Sequence, residues 1–442
     1  MNLLALRLVA VFIVGTCLGS FVNWAIYALA WTPRPISPWS RLPPDFVPRR
    51  RWDRVPLFGW LSLRRESEIH GRVFWLRPLM LEIGLGLAMA LLYWWEVARL
   101  SLIQPQTGVL PIVPPTLAVH LQYFSHVVLL CWMLAASFID IDEKIIPDEI
   151  TVTGTLLGLL IAAIVPISLL PYASEPLAVP AVGEPLVVAN GGFAIGPHGI
   201  AQWLEPVTAI APRAWPPSWG VSRRPISLAI GIGCYWLWCF ALAPRIWRGR
   251  RGPIVALGLI GTRLWREFRR GPLLWIWLVG TIAITCVWSL SERSWEGLLT
   301  ALLGLVGSGC LIWAVRLIGT FSLRREAMGF GDVTLMMMIG TFLGWQACLI
   351  LFFISPLPAL VVGIIQFIAR RDDVIPFGPF LCMAAATVVV WWAPIWIWAE
   401  QFFLIGAAVP IAMGACLVLL GVMLTIWRMI KIALFGSDFG VE

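Results

Sequence analysis

The sequence predicts an all-α fold, a polytopic bundle of transmembrane helices, on three observations. Hydrophobic residues make up 60% of the 442 positions and charged residues only 13%, about half the charge of a typical soluble domain. Apolar runs of about 20 residues, the length a helix needs to cross a bilayer, recur from end to end, and mean hydropathy is +0.86. Most Arg residues fall between those runs, where they set orientation.

The elements follow in order. A first span runs from about residue 3 to 30 and lacks the charged start and small-residue cleavage site of a removed signal peptide. Residues 31–77 then carry ten Arg, which places this segment inside and the N-terminus outside. Spans at about 78–98 and 118–139 flank a short Pro-rich outer segment, and the second of them ends at Asp140. A fourth span, about 149–170, leads to a long outer segment from Pro171 to about Ser227, rich in Pro, Gly and Val, in which little regular structure is expected. Spans at about 228–244, 272–290 and 298–319 follow, the first of them ending in a second basic stretch from Arg245 to Arg270. Arg324 and Arg325 lie inside, then come spans at about 333–352 and 356–369, Arg370-Arg371, and room for two more within 376–428. The count is about eleven within a range of 8–11, and the domains divide as 1–98, 118–170, an insertion at 171–297, 298–400 and 401–442.

The net charge of +8 does not indicate nucleic acid, because no basic module interleaved with aromatics is present; membrane lipids are the expected surroundings. The nine Cys lie almost entirely within apolar runs and form no Cys-x-x-Cys pair, so they read as packing residues and zinc is not expected. His70, His120, His126 and His198 share no ligand spacing and read as lone interfacial or loop residues.

Two acidic motifs stand out because charge beside lipid is expensive and marks function. Asp140-Ile141-Asp142 is followed by Pro147-Asp148, and Gly329-Phe330-Gly331-Asp332 lies four spans later. Four is even, so the topology set from Arg alone returns both motifs to the same inner face. Asp140, at a span's end, is the strongest catalytic candidate. Asp142 also reads as a loop charge. Asp148 also reads as a first-turn residue after a helix-starting Pro147. Gly329 and Gly331 allow the backbone to bend and bring Asp332 close. Two carboxylates at one site divide roles: one keeps its proton and polarises a carbonyl, the other acts as base on water.

Beside these motifs, four further blocks occur in order: Gly19 to Tyr27, Val55 to Leu61, Arg77-Pro78-Leu79-Met80-Leu81-Glu82, and Pro376-Phe377-Gly378-Pro379-Phe380-Leu381. Together they resemble the prepilin peptidase family (type IV leader peptidases), intramembrane aspartyl proteases of the Gly-x-Gly-Asp class. The resemblance spans about 10–165 and 300–400. It implies cleavage of the basic leader of type IV prepilins and type II secretion pseudopilins at the cytoplasmic face of the bacterial inner membrane. It also implies Asp140 and Asp332 as the catalytic pair, no cofactor for proteolysis, and, in members that methylate the new N-terminus, S-adenosylmethionine.

Two departures accompany it. Residues 31–77 hold no Cys where the family often has two zinc-binding pairs. Packing of Trp52, Phe58, Trp60 and Trp75 is expected to hold the segment instead, and methyl transfer is put in question. The 171–297 insertion has no assigned role. Glu82, just inside the second span, reads as a satisfied interfacial acid or, from the resemblance, as a substrate or methyl-donor contact. Asp53, Glu66 and Glu68 are the expected contacts for a basic leader, while Arg49 to Arg54 suit anionic lipid headgroups. The alternatives are a proton-coupled carrier, in which intramembrane acids relay protons, a non-catalytic subunit of a pilus or secretion machine, and a protease closer to presenilin.

Overall fold

The computed structural model describes residues 3–40, 49–103, 116–173, 177–178, 193–195, 200–212, 224–242, 273–324, 326, 328–368 and 376–435. The helices are α1 (Leu3–Ala28), α2 (Phe58–Leu63), α3 (Ser67–His70), α4 (Leu76–Tyr93), α5 (Thr116–Glu143), α6 (Asp148–Ile164) and α7 (Pro225–Leu242). They continue as α8 (Leu273–Leu290), α9 (Glu292–Leu323), α10 (Phe330–Ile354), α11 (Pro356–Ile368), α12 (Gly378–Val390), α13 (Trp392–Phe403) and α14 (Ala408–Phe435). Among the described residues eight helical segments are long and apolar enough to cross a membrane, and α12 with α13 form a further candidate bent by 95°. The chain is a multi-pass helical membrane protein. The basic stretch 243–272, Arg370-Arg371 and His198 lie outside the described residues.

The expected fourth span, about 149–170, is α6, whose 17 residues stop at Ile164 and fall outside the eight candidates. The expected spans at 356–369 and 376–428 also turn out differently in detail. The first is α11, whose 13 residues reach only about 20 Å. It follows α10 after one residue, Ser355, so the two together supply one candidate span. The second stretch becomes the bent pair and α14.

The centre of the bundle is the α9–α10 pair, with α6 packed against both. These helices come close because small residues face each other. A Cβ added at Gly304 would collide with the carbonyl of Gly340, and one at Gly340 would collide with Gly304 and Ser308. In lipid, where apolar side chains gain nothing from leaving water, such close backbone approach is a main source of helix affinity. The Ser308 hydroxyl donates to the Met336 carbonyl at 2.9 Å and secures the same contact. Further along α10, Gly344 has φ +79°, a conformation suited to glycine, and breaks the regular helix.

The described residues of the segment after α6 include regular structure that its composition does not suggest. Short antiparallel strands β1 (Pro171–Ala173), β2 (Leu177–Ala178) and β3 (Phe193–Ile195) all pair with β4 (Ile200–Pro206). The polar ends of the bundle hold this segment. Gln346 and Trp345 donate to the carbonyls of Thr208 and Ala209, the Ala209 amide donates to Thr300, and the Trp392 indole donates to Pro171. Those donors and acceptors lie on helices, where composition of the loop alone cannot reveal them.

Residues 49–77 fold into a small polar unit, and here three expectations need correction. Of the four aromatics expected to hold it, Trp60 is buried, but Trp52 and Phe58 are 77% and 69% exposed. Trp75 is half-buried beneath the Arg64 guanidinium. The unit is held mainly by ion pairs: Arg49 with Glu66 at 2.8 Å, and Arg65 with Asp53 at 2.5 Å. Asp53 and Glu66, expected to meet a leader, are therefore spent internally, while Glu68 is exposed. The third correction concerns Arg49, expected to suit lipid headgroups: its side chain is 5% exposed and is used in the pair with Glu66. Outside this unit, His126, read as a lone interfacial or loop residue, also needs correction. It is 2% exposed, inside the bundle, and its Nδ1 lies 2.8 Å from Glu96.

Burial pushes the Asp53 carboxyl up, but hydrogen bonds from Arg65, Ser62 and the Arg50 amide outweigh it and hold it below the usual carboxylate range. A lowered folded-state value stabilises the unit above the unfolded value of about 3.9, and this is lost as pH falls through the folded value. Tryptic resistance of the 49–66 segment in native membranes should therefore hold from neutral pH down to about 5. Asp53→Ala should lower the segment's local stability by about 1–3 kcal/mol at neutral pH, read as faster cleavage. For the bundle, Gly304→Val should cost at least about 1–3 kcal/mol through overpacking, read as a lower melting temperature in detergent. Gly233→Ala is the control: a Cβ there meets nothing within 4 Å, and it should leave melting unchanged or slightly raised.

Candidate active site

Asp140 lies three residues before the end of α5 and not at its last position. After Glu143 the chain reverses through Lys144, a non-glycine residue at φ +55°, whose amide donates to the Asp140 carbonyl at 2.8 Å. Pro147 is the residue just before α6, its carbonyl accepting from the Ile150 amide. This turn swings Ile146 inward, where it is buried, beneath Asp140.

Asp332 lies in the first turn of α10, three residues past Gly329, which precedes the helix with extended backbone. Gly331 is needed for contact: a Cβ there would sit 3.0 Å from the Ile146 Cβ. The second motif thus packs onto the turn that follows the first. Asp140 and Asp332 are 5% and 7% exposed. Both line one cleft of about 670 Å³, with Lys144, Glu326, Phe330 and Phe377 among its other walls.

The block Pro376 to Leu381 supplies the third side. The Gly378 amide, at the start of α12, donates to Asp140 Oδ2 at 3.1 Å. A Cβ at Gly378 would stand 2.6 Å from that same oxygen. Sequence reasoning quoted this block but gave it no role; its contact with Asp140 spans 238 positions.

The remaining candidates take other places. Asp142 pairs with Arg77 at 2.8 Å, and Arg77 also lies over the Phe138 ring. Glu143, which drew no attention in the sequence, accepts from the amides of Trp31 and Thr32. These two residues clamp the cleft end of α5 to the segment after α1 and to the start of α4. Asp148 is exposed in the first turn of α6 and does not line the cleft. Glu82 is fully buried away from the cleft, where it accepts from the Leu57 amide at 2.6 Å, the Trp60 indole at 2.7 Å and Asn23 at 3.4 Å. Among the described residues no three His, Cys, Asp or Glu side chains are placed to hold a metal ion.

This geometry agrees with the comparisons to known proteins. Residues 127–196 and 271–364 match the model of the type IV leader peptidase family, and residues 13–96 match that of the bacterial peptidase A24 N-terminal domain. The first match carries both aspartates and omits 197–270, a stretch inside the expected insertion. Curated relatives named prepilin leader peptidase/N-methyltransferase include one from Pseudomonas aeruginosa, 28% identical over 27% of this chain and 39% of that protein. Another, from Aeromonas hydrophila, is 32% identical over 25% of this chain and 37% of that protein. One from Legionella pneumophila is 29% identical over 27% and 39%. The aligned part thus spans less than two-fifths of these relatives' own length. No solved structure matches. The two family matches, in chain order and with the Asp140 and Asp332 motifs inside them, place the chain in the type IV leader peptidase family.

Proposed function

We propose that this protein is a membrane aspartyl endopeptidase that removes the leader of type IV prepilins or pseudopilins at the cytoplasmic face of the bacterial inner membrane. The observation that carries the reading is the meeting of Asp140 and Asp332 in one cleft at one end of an apolar bundle. That end also bears the Arg-rich segment, through the Arg77–Asp142 and Glu143 contacts, which supports an inward orientation. The cleft walls are partly apolar, with Ile146, Met328, Phe330 and Phe377. This suits a precursor whose apolar stretch arrives from the membrane. A carrier would not need its two acids gathered at one end of the bundle.

In the proposed reaction one carboxylate takes a proton from water, and that water's oxygen attacks the scissile carbonyl. The other carboxyl donates a hydrogen bond to the carbonyl oxygen as negative charge builds there. Collapse of the tetrahedral intermediate breaks the C–N bond, and the leaving amine receives a proton. The Gly378 amide holds Asp140 Oδ2 and so fixes the carboxylate plane relative to Asp332. Positioning at this level matters because a misplacement of about 1 Å costs about a hundredfold in rate.

The relatives' names include an N-methyltransferase. Glu82 does not fit a methyl-donor contact, since its carboxylate is already taken up by Leu57, Trp60 and Asn23. No step is derived through a methyl donor.

Membranes containing the protein should cleave a pilin-type precursor, with the product's N-terminus read by mass spectrometry. Asp140→Asn and Asp332→Asn should each lower turnover by at least about a hundredfold while the protein stays folded. Cleavage surviving in either variant would sink the aspartyl reading. Gly378→Ala should lower kcat by about 10–100-fold with KM within about threefold. Unchanged kcat would remove Gly378 from the machinery.

A further inference from the structure

The cleft depends on a short loop between α9 and α10, and one side chain outside both acidic motifs is committed to that loop. Arg316 lies seven residues before the end of α9 and reaches past it. Its Nε donates to the Met328 carbonyl at 2.8 Å. Its Nη2 pairs with Glu326. Its guanidinium carbon lies 5.8 Å from the centre of the Phe330 ring. Glu326, Met328 and Phe330 all line the cleft, and Asp332 follows two residues later.

Among the described residues of this loop, 326 and 328–330, the contacts with Arg316 come from three of the four. α9 ends at Leu323, and the next residue, Arg324, takes the left-handed conformation, φ +53°; a Cβ added at Gly329 would meet only Asp332 and Gly331 atoms, at 3.8 and 3.9 Å. An open turn before a buried carboxylate needs a brace, because the entropy of a loose loop would spread the carboxylate over many positions. Arg316 is rooted in the helix that packs most extensively on α10, through Gly304 and Gly340. It therefore ties the turn to the rigid part of the bundle.

We propose that Arg316 is the positioning residue for Asp332: by holding the Glu326–Phe330 turn with a hydrogen bond, an ion pair and a ring contact, it sets the second carboxylate opposite Asp140. This rests on the peptidase reading above. Arginine suits the task because one planar group donates along two directions and lies flat over a ring. Lysine would supply the charge and one directed bond, but not the fork or the flat contact.

The test compares wild type, Arg316→Met and Arg316→Lys as full-length protein in detergent or membranes. Turnover of a pilin-type precursor is measured together with amide hydrogen exchange in 326–334. Arg316→Met should lower kcat by about 10–100-fold with KM within about threefold. Exchange in 328–333 should rise while that of the first half of α9 stays at the wild-type rate. Arg316→Lys should recover part of the loss, remaining about 3–10-fold below wild type. Wild-type kcat in Arg316→Met, or exchange that is unchanged in 328–333, would overturn the proposal. So would a Lys variant no better than Met. Should Arg316→Met fail to accumulate in membranes, the Lys variant decides, and wild-type turnover there overturns the proposal. If wild-type protein cleaves no precursor while Asp140 and Asp332 are intact, the peptidase reading fails instead. The exchange comparison then still decides whether Arg316 holds the turn.

Discussion

Close approach between α9 and α10 is the constraint on which the rest of this protein rests. Gly304 and Gly340 let two backbones come nearer than side chains would allow, and Ser308 closes the contact with a hydrogen bond to Met336. Because α10 starts at the Gly-x-Gly-Asp turn, its placement against α9 also sets the height and rotation of Asp332. The α6 helix packs on the same pair. The turn between α5 and α6 then carries Ile146 beneath Gly331, so the two acidic motifs are joined by packing before any carboxylate chemistry begins.

The polar residues nearby divide between chemistry and structure in a way their types do not foretell. Asp140 and Asp332 face a cleft. Asp142 and Glu143, within three residues of Asp140, are used to clamp the end of α5 to Arg77 and to the backbone of Trp31 and Thr32. Glu82 collects donors from α1, α2 and the start of the 57–60 turn, and so anchors the polar unit to the first two spans. Asp142, Glu143 and Glu82 each accept from donors far away in the chain, and for the fully buried Glu82 such pairing is the condition on which a carboxylate survives away from water. Within the polar unit itself, the Arg49–Glu66 and Arg65–Asp53 pairs tie its parts together.

The opposite end of the bundle shows a second use of buried polarity. The break at Gly344 leaves Trp345 and Gln346 free to bond the carbonyls of the 207–211 loop, and Thr300 on α9 binds the same loop from the other side. The 207–211 loop, which follows β4 directly, thus docks onto the helices through specific bonds. Two described parts of a segment that reads as irregular in composition, Pro171 and the 207–211 loop, are held by residues on other elements.

Much was legible in the sequence because membrane spans and sidedness are written in local composition. Apolar runs of adequate length and Arg-rich gaps predicted the helices α1, α4, α5 and α7 to α10 within a few residues, and an even number of spans between the motifs predicted their meeting. Asp140 and Asp332 were legible for the same reason: an acid beside an apolar run costs free energy, so its presence is a signal. Several features were not legible, because each is a contact between residues far apart in the chain. The Gly378 amide on Asp140, the buried His126–Glu96 pair, the exposure of Trp52 and Phe58, and the internal use of Asp53 and Glu66 are of this kind. The sequence by itself determined that the chain is a helical membrane bundle with two acids returned to one side, since hydropathy and charge act residue by residue. Only the tertiary structure decided which acids face the cleft and which brace it, since that depends on which donors the packed helices bring within about 3 Å.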